Sequence, residues 1–175
     1  MNLIRSMGAT LALCILVLPT ARAQIPSASG DCVAGIVETT PSSDFTPLEN
    51  GAVVRHETTG LEWRRCTEGM TWTGSSCTGT ANFYNWQQAL QQAHGQAGWR
   101  LPNINELSSI VEECRESPVI NLQVFPNTPT SYFWSGSPYA SHSLYAWDVS
   151  FDYGVANGDG LRSGDGRVRL VRGGQ

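Results

Sequence analysis

The chain is expected to fold as one α+β domain of small antiparallel sheets with two flanking helices, stapled by disulfides. Three observations carry that expectation. β-prone runs open and close the chain while two helix-like segments lie between them, an order that fits α+β and not parallel βαβ units. Four of the five cysteines follow an export-type leader, an even set that two disulfides would use up. With 175 residues and 18 glycines, the chain has room for one loop-rich domain.

Residues 1–23 read as a signal peptide. Arg5 supplies the positive start, residues 8–18 are uncharged and apolar, and Pro19 breaks the run before the small-x-small cleavage pattern Ala21-Arg22-Ala23. The apolar run falls short of the roughly 20 residues of a spanning helix, so no stable membrane span is expected after cleavage. Cys14 lies inside the run, a poor context for lipidation. Removing the leader takes Arg5 and Arg22 from the 11 basic residues and leaves 9 Arg against 15 acids, a charge of about −6. There is no Lys, and the acidic balance excludes a basic nucleic-acid binder. An exported protein is expected, in the periplasm, on the cell surface or outside the cell.

In an oxidising compartment Cys32, Cys66, Cys77 and Cys114 allow three pairings. Cys66 and Cys77 flank a short Gly/Ser/Thr-rich loop that closes easily, which leaves Cys32 to tie the N-terminal segment to Cys114 at the end of a helix. Zinc is not expected, because no C-x2-C pair exists and His56, His94 and His142 are scattered. Residues 24–44 form an extended lead-in rich in Ser, Pro and Thr, a character that runs on to 50; the single domain spans 45–175. Ala52 to His56 and Leu61 to Arg64 surround a turn at Thr58-Thr59-Gly60 and predict a hairpin.

Trp86, Ala89, Leu90 and Ala93 recur at helical spacing and predict a helix ended by Gly95 and Gly98. A second helix is expected from Asn103, with Glu106 at capping-box spacing and an apolar face of Leu107, Ile110, Val111 and Cys114. Short strands follow at Tyr132 to Ser135 and at 145–151, where Tyr145, Trp147, Val149 and Phe151 alternate onto one face. Arg167 to Arg172 alternates Arg with aliphatic residues and predicts the last strand.

Thr59-Gly60-Leu61-Glu62-Trp63, Trp86-Gln87-Gln88-Ala89 and the stretch from Gly98 to Leu107 together resemble the Lcl C-terminal domain family. So do Phe133 to Ser137, Ala146 to Val149 and Val168 to Arg172. The likeness runs in the family's order over about residues 45–172. It implies a C-type-lectin-like fold, in which the terminal strands pair and two helices flank the sheet. It also implies a secreted or surface binding module, and for the collagen-like adhesin that names the family, sulfated polysaccharide as ligand. A charge of −6 works against that ligand unless Arg162, Arg167 and Arg169 form a local patch.

Trp63, Trp86, Trp99 and Trp134 are expected in the core, and Arg100 at the helix entrance is expected to tie down backbone or a carboxylate. No enzyme is expected and no catalytic residue is assigned. There is no G-x-S-x-G elbow, His142 has no orienting partner, and nothing after Cys114 supplies the late cysteines of the related sulfatase-modifying enzymes. The Glu-Pro-Asn and Trp-Asn-Asp calcium signatures of sugar-binding lectins are absent. Asp159 and Asp165 resemble calcium loops without EF-hand spacing, so polar turns are the reading and no metal or cofactor is assigned.

Residues 139–166 carry the candidate binding surface. They lack Lys, Glu, Gln, Met and Thr and are rich in Tyr, Ser, Asp, Asn and Gly, the chemistry of an adaptable paratope. Asp148 and Ser150 are expected to point away from the Trp147 face onto an exposed surface. There they would join Asp152 and the loop residues Tyr139, Ser141, His142, Ser143, Tyr153, Asn157, Asp159, Arg162 and Asp165; Tyr145, at the start of the strand, is assigned to ligand binding as well. Nearly all these residue types are reachable from one Asn codon by adenine replacement, and some members resembling this family carry retroelement-diversified cassettes, so 139–166 is read as such a cassette. The expected partner is a glycan or a protein on another surface. The alternatives are an oligomerising envelope protein or, less favoured, an exported enzyme of the sulfatase-modifying fold.

Overall fold

The computed structural model describes residues 32–174, so the leader lies outside the described residues, as do residues 24–31 of the lead-in. Both expected disulfides are present, Cys32–Cys114 and Cys66–Cys77. The lead-in is held at a second point as well. The buried Glu112 carboxylate accepts the Thr39 and Thr40 amides at 2.8 and 2.7 Å and the Thr40 hydroxyl at 3.0 Å. Burial pushes the Glu112 pKa up, but the Thr39, Thr40 and Cys114 donors outweigh it and hold the group below its ordinary range.

Strands β1 (Phe45–Leu48), β2 (Val53–His56) and β3 (Glu62–Arg64) make an antiparallel meander. The β2–β3 turn closes at Gly60, whose φ of +70° suits a residue without a Cβ. The second disulfide clips a ribbon of β4 (Thr71–Trp72) and β5 (Cys77–Thr78). Helix α1 (Trp86–His94) starts at Asn85 with a complete capping box to Gln88 and buries Ala89 and Ala93, as its spacing predicts.

Helix α2 (Ile104–Ser108) has the predicted box, with the Glu106 amide on Asn103 Oδ1 at 2.9 Å and the Asn103 amide on Glu106 Oε2 at 2.8 Å. It is shorter than its apolar pattern suggests, and Cys114 lies beyond it instead of at its end. Ser108 and Ser109 turn their hydroxyls back onto the Ile104 and Glu106 carbonyls at 2.8 and 2.7 Å, offering the backbone an alternative to further helix. Leu107, Ile110, Val111 and Cys114 are all buried nonetheless, and Val111 bridges to Ile120.

Strands β6 (Tyr132–Pro138), β7 (Tyr145–Ser150) and β8 (Val155–Leu161) form a second antiparallel sheet. The third of these, Val-Ala-Asn-Gly-Asp-Gly-Leu, corrects the reading of Asn157 and Asp159 as loop residues. Its low β-propensity is overridden by pairing along β7. The last strand is β9 (Val171–Arg172), which completes the first sheet in the order β1-β2-β3-β9.

Only the end of the predicted 167–172 strand joins that ladder, and its Arg/aliphatic alternation does not place every Arg outside. Arg169 is fully buried. Its guanidinium donates to the Arg64 carbonyl at 2.9 Å, to the Arg65 carbonyl and to Thr128 Oγ1 at 2.6 Å, and it lies 4.6 Å over the Phe125 ring.

One apolar cluster joins the two sheets through Phe45, Val54, Trp63, Leu107, Ile120, Phe125, Phe133, Val149 and Phe151. A second packs Ala89 and Ala93 of α1 on Leu101, Trp134, Ala146, Val168 and Leu170. Trp63 and Trp134 are core residues as expected. Trp99 and Trp86 are not fully buried but capped by cations: Trp99 lies between Arg64 and Arg172, at 4.8 and 4.6 Å, and Trp86 under Arg162 at 4.2 Å. Arg100 takes a carboxylate and backbone together, pairing both Glu106 oxygens at 2.7 and 2.8 Å and the Gly173 carbonyl at 2.8 Å. Among the described residues no helix is long and apolar enough to cross a membrane.

Candidate functional site

Strand β7 loses register with both neighbours at Trp147. Toward β6 the pairing passes from Trp134↔Asp148 to Pro138↔Ala146, and toward β8 from Asp148↔Asn157 to Ala146↔Gly160. Extra residues on both flanking strands face this one position, and such bulges re-aim side chains. The Trp147 carbonyl still has a partner, the Ser135 hydroxyl at 2.7 Å. Its indole turns outward, so the Tyr145/Trp147 face lines a surface while Val149 and Phe151 enter the core.

The resulting groove has a volume of about 690 Å³ and is lined by Tyr139, Ser141, His142, Tyr145, Trp147, Ala156, Asn157, Gly158 and Asp159. Tyr139 meets Trp147 edge-to-face at 5.6 Å, and His142 meets Tyr145 at 4.9 Å. Glycine is needed at 158 for space, because a Cβ there would lie 2.7 Å from the Tyr139 ring and 3.2 Å from Trp147. Six residues predicted from sequence therefore meet in one aromatic groove with a flat floor.

A second cleft of about 340 Å³ opens on the same sheet between Tyr132, Trp134, Asp148, Gly160, Leu161 and Asp165, sharing Asn157 and Asp159 with the first. Asp148 is 4% exposed and not on an open surface as expected, because the bulge turns it inward over Trp134. Burial drives its pKa up to about 6; the Asn157 amide, 3.2 Å from Oδ1, works against that shift and the Asp159 charge adds to it. A third hollow, about 480 Å³, puts Ser143 and Arg162 beside Trp86 and Leu90 of α1.

Three predicted residues fall outside this surface. Ser150 is buried and its hydroxyl has no hydrogen-bond partner among the described residues. Asp152 and Tyr153 sit in the β7–β8 turn, at the far end of the strands, about 17 Å along from Tyr145 at 3.4 Å per residue. There Asp152 accepts from the Ser117 hydroxyl, and Tyr153 is exposed.

The arginine patch that a sulfated ligand would require does not form. Arg169 is internal, Arg167 stacks on Phe83 at 3.4 Å while donating to the Ala81 carbonyl, and Arg162 covers Trp86. Sequence reasoning missed Tyr132, Trp134, Gly158 and Gly160. The available signal was the alternation of glycine in residues 158–160, which clears space under facing aromatic rings. Asp159 and Asp165 do not converge with a third ligand. Among the described residues, only Cys32, Glu112 and Cys114 bring three such atoms within 4.8 Å, and both sulfurs there are in a disulfide.

These features define a small disulfide-stapled α+β module with an open aromatic and acidic surface on one sheet. The Lcl C-terminal domain model matches residues 52–172, and the chain belongs to that family. No curated protein and no solved structure matches it significantly.

Proposed function

We propose that the chain is an exported, C-type-lectin-like binding module that holds a carbohydrate or protein ligand on the β7–β8 surface, with no bond-breaking step. The single observation that carries this reading is the groove of Tyr139, Tyr145 and Trp147 over Gly158. Its rigid ring faces stand open, with Ser141, His142, Asn157 and Asp159 to supply hydrogen bonds. The fold reading is supported by β9 returning to the sheet of β1–β3 and by two helices beside the second sheet. Export is supported by two disulfides, the leader pattern and a surface-type family. A sulfated polysaccharide is the less favoured ligand, since no arginine cluster faces the groove.

The test is a glycan array and a panel of surface proteins probed with the oxidised protein, followed by Trp147→Ala and Gly158→Val. Both variants are expected to lose the ligand while keeping the parent's circular dichroism. A ligand that binds both variants as well as the parent overturns the site. No ligand, together with a stable oligomer in light scattering, overturns the reading in favour of an envelope structural role, for which exposed Leu144, Leu161 and Tyr132 would supply the contact. The same surface is proposed as a diversified cassette. Population sequencing should confine substitutions to 139–166, and evenly spread variation overturns that part.

A further inference from the structure

Asp148 differs from the other buried acids, Glu68 and Glu112, and from the half-buried Glu106. Glu68, Glu106 and Glu112 each have both carboxylate oxygens bonded, by Arg64 with Gln92 and Gln96, by Arg100, and by the lead-in amides. Asp148 is 4% exposed, yet only its Oδ1 is bonded, to Asn157 at 3.2 Å. Its Oδ2 has no hydrogen bond or ion pair among the described residues and faces Gly160. A Cβ at that position would collide with Oδ2 and lie 2.8 Å from the Trp134 ring. The missing side chain keeps a space open beside a buried, half-satisfied carboxylate. No residue lining this cleft is positively charged, while Asp159 and Asp165 add negative charge.

We infer that this cleft is a subsite for a cationic side chain, the ammonium of Lys or the guanidinium of Arg, presented by a protein ligand. The inference rests on the binding reading above and gives it a ligand class. The cation would donate to Asp148 Oδ2, with Asp159 and Asp165 nearby, while its apolar stem lies against Tyr132, Trp134 and Leu161. A bare calcium ion fits less well. It takes 6–8 oxygens at about 2.3–2.6 Å, whereas Asp148, Asp159 and Asp165 do not bring three ligand atoms within 4.8 Å of one another. An organic cation spreads its donors over a wider span.

The test titrates the oxidised protein with a fluorescent Gly/Ser peptide bearing two lysines, with its Nε-acetyl-lysine form, and with an arginine/citrulline pair. The charged peptides are expected to bind at least about tenfold tighter than their neutral forms, as expected of a hydrogen bond to a charged partner. Asp148→Asn, nearly isosteric, and Gly160→Val, which fills the space, should each remove that preference. Glu113→Gln, which deletes an exposed charge elsewhere, should leave it intact. Circular dichroism checks the fold of each variant. Equal binding of charged and neutral peptides, unchanged binding by Asp148→Asn, or Asp148-dependent heat from calcium chloride alone overturns the inference. If the peptides fail while a ligand is still lost on Trp147→Ala, only the subsite falls. If the peptides bind but no ligand depends on Trp147, the groove reading falls and the subsite stands.

Discussion

Glu112, beside the Cys32–Cys114 disulfide, and Asp148, in the β6–β8 sheet, are both almost fully buried acids, and they answer burial in opposite ways. Glu112 sits where the lead-in, the first disulfide and the Cys114 segment meet, and backbone donors keep it ionised. Asp148 sits beside a bulge and a glycine, with one donor, so desolvation prevails. The same contrast runs through the arginines. Arg65, Arg100 and Arg169 are spent on carbonyls and acids that hold the first sheet to its surroundings. On the second sheet, the rings lining the groove are left open, and Asp148 has one carboxylate oxygen unbonded among the described residues. Polar residues close the fold in one region and remain available to a ligand in the other.

The largest way to break this contrast is to remove the staples. Replacing Cys32 and Cys114 by Ser, a closure of 82 residues in sequence, should cost about 4.5 kcal/mol in the chain-entropy model; replacing Cys66 and Cys77, separated by 11, should cost about 3 kcal/mol. Urea unfolding of the two double variants measures both, and a reversed order would place the stabilisation elsewhere than in loop closure.

Next comes Arg169→Met. It leaves two carbonyls and the Thr128 hydroxyl without their donor and should cost about 3 kcal/mol, read in the same assay. A loss below about 1 kcal/mol would mean that this buried cation, lowered to about 9 by burial first, with Arg65 adding and Glu68 opposing, contributes little to holding the sheets together.

The smallest and sharpest test is pH. The Asp148 pKa is raised on folding, so its contribution to stability is full below about 3.8 and is lost as pH rises through about 6. The Glu112 pKa is lowered, so its contribution is present above about 4.5 and is lost as pH falls through the folded value. Asp148→Asn should therefore remove a stability decline between pH 4 and 7, and Glu112→Gln should remove one at the acid end. Thermal melts across pH measure both, and a variant that leaves its own limb unchanged refutes that assignment.

What was legible in the sequence was local. The capping box at Asn103 needs only a side chain and an amide three residues on. The β2–β3 hairpin needs a short turn, and the Cys66–Cys77 loop is closed by its own brevity. The aromatic groove was legible too, because Tyr139, Ser141, His142 and Tyr145 are near neighbours around one turn. Alternation misled where register slipped. A strict period of two puts Asp148 outside, and the bulges beside Trp147 put it inside.

The sequence by itself determined the start of the second helix, the hairpin, the short Cys66–Cys77 closure, the acidic balance and the composition of the binding segment. All of these depend on residues close in the chain or on totals. Only the tertiary structure decided that residues 155–161 form a strand, that Arg169 turns inward to carbonyls about a hundred residues away, and that Ser150 leaves the surface while Asp148 opens onto a cleft. Each of these depends on a partner distant in sequence. Such a partner supplies the missing ladder bonds, the acceptors for a buried cation, or the space that glycine leaves beside a ring.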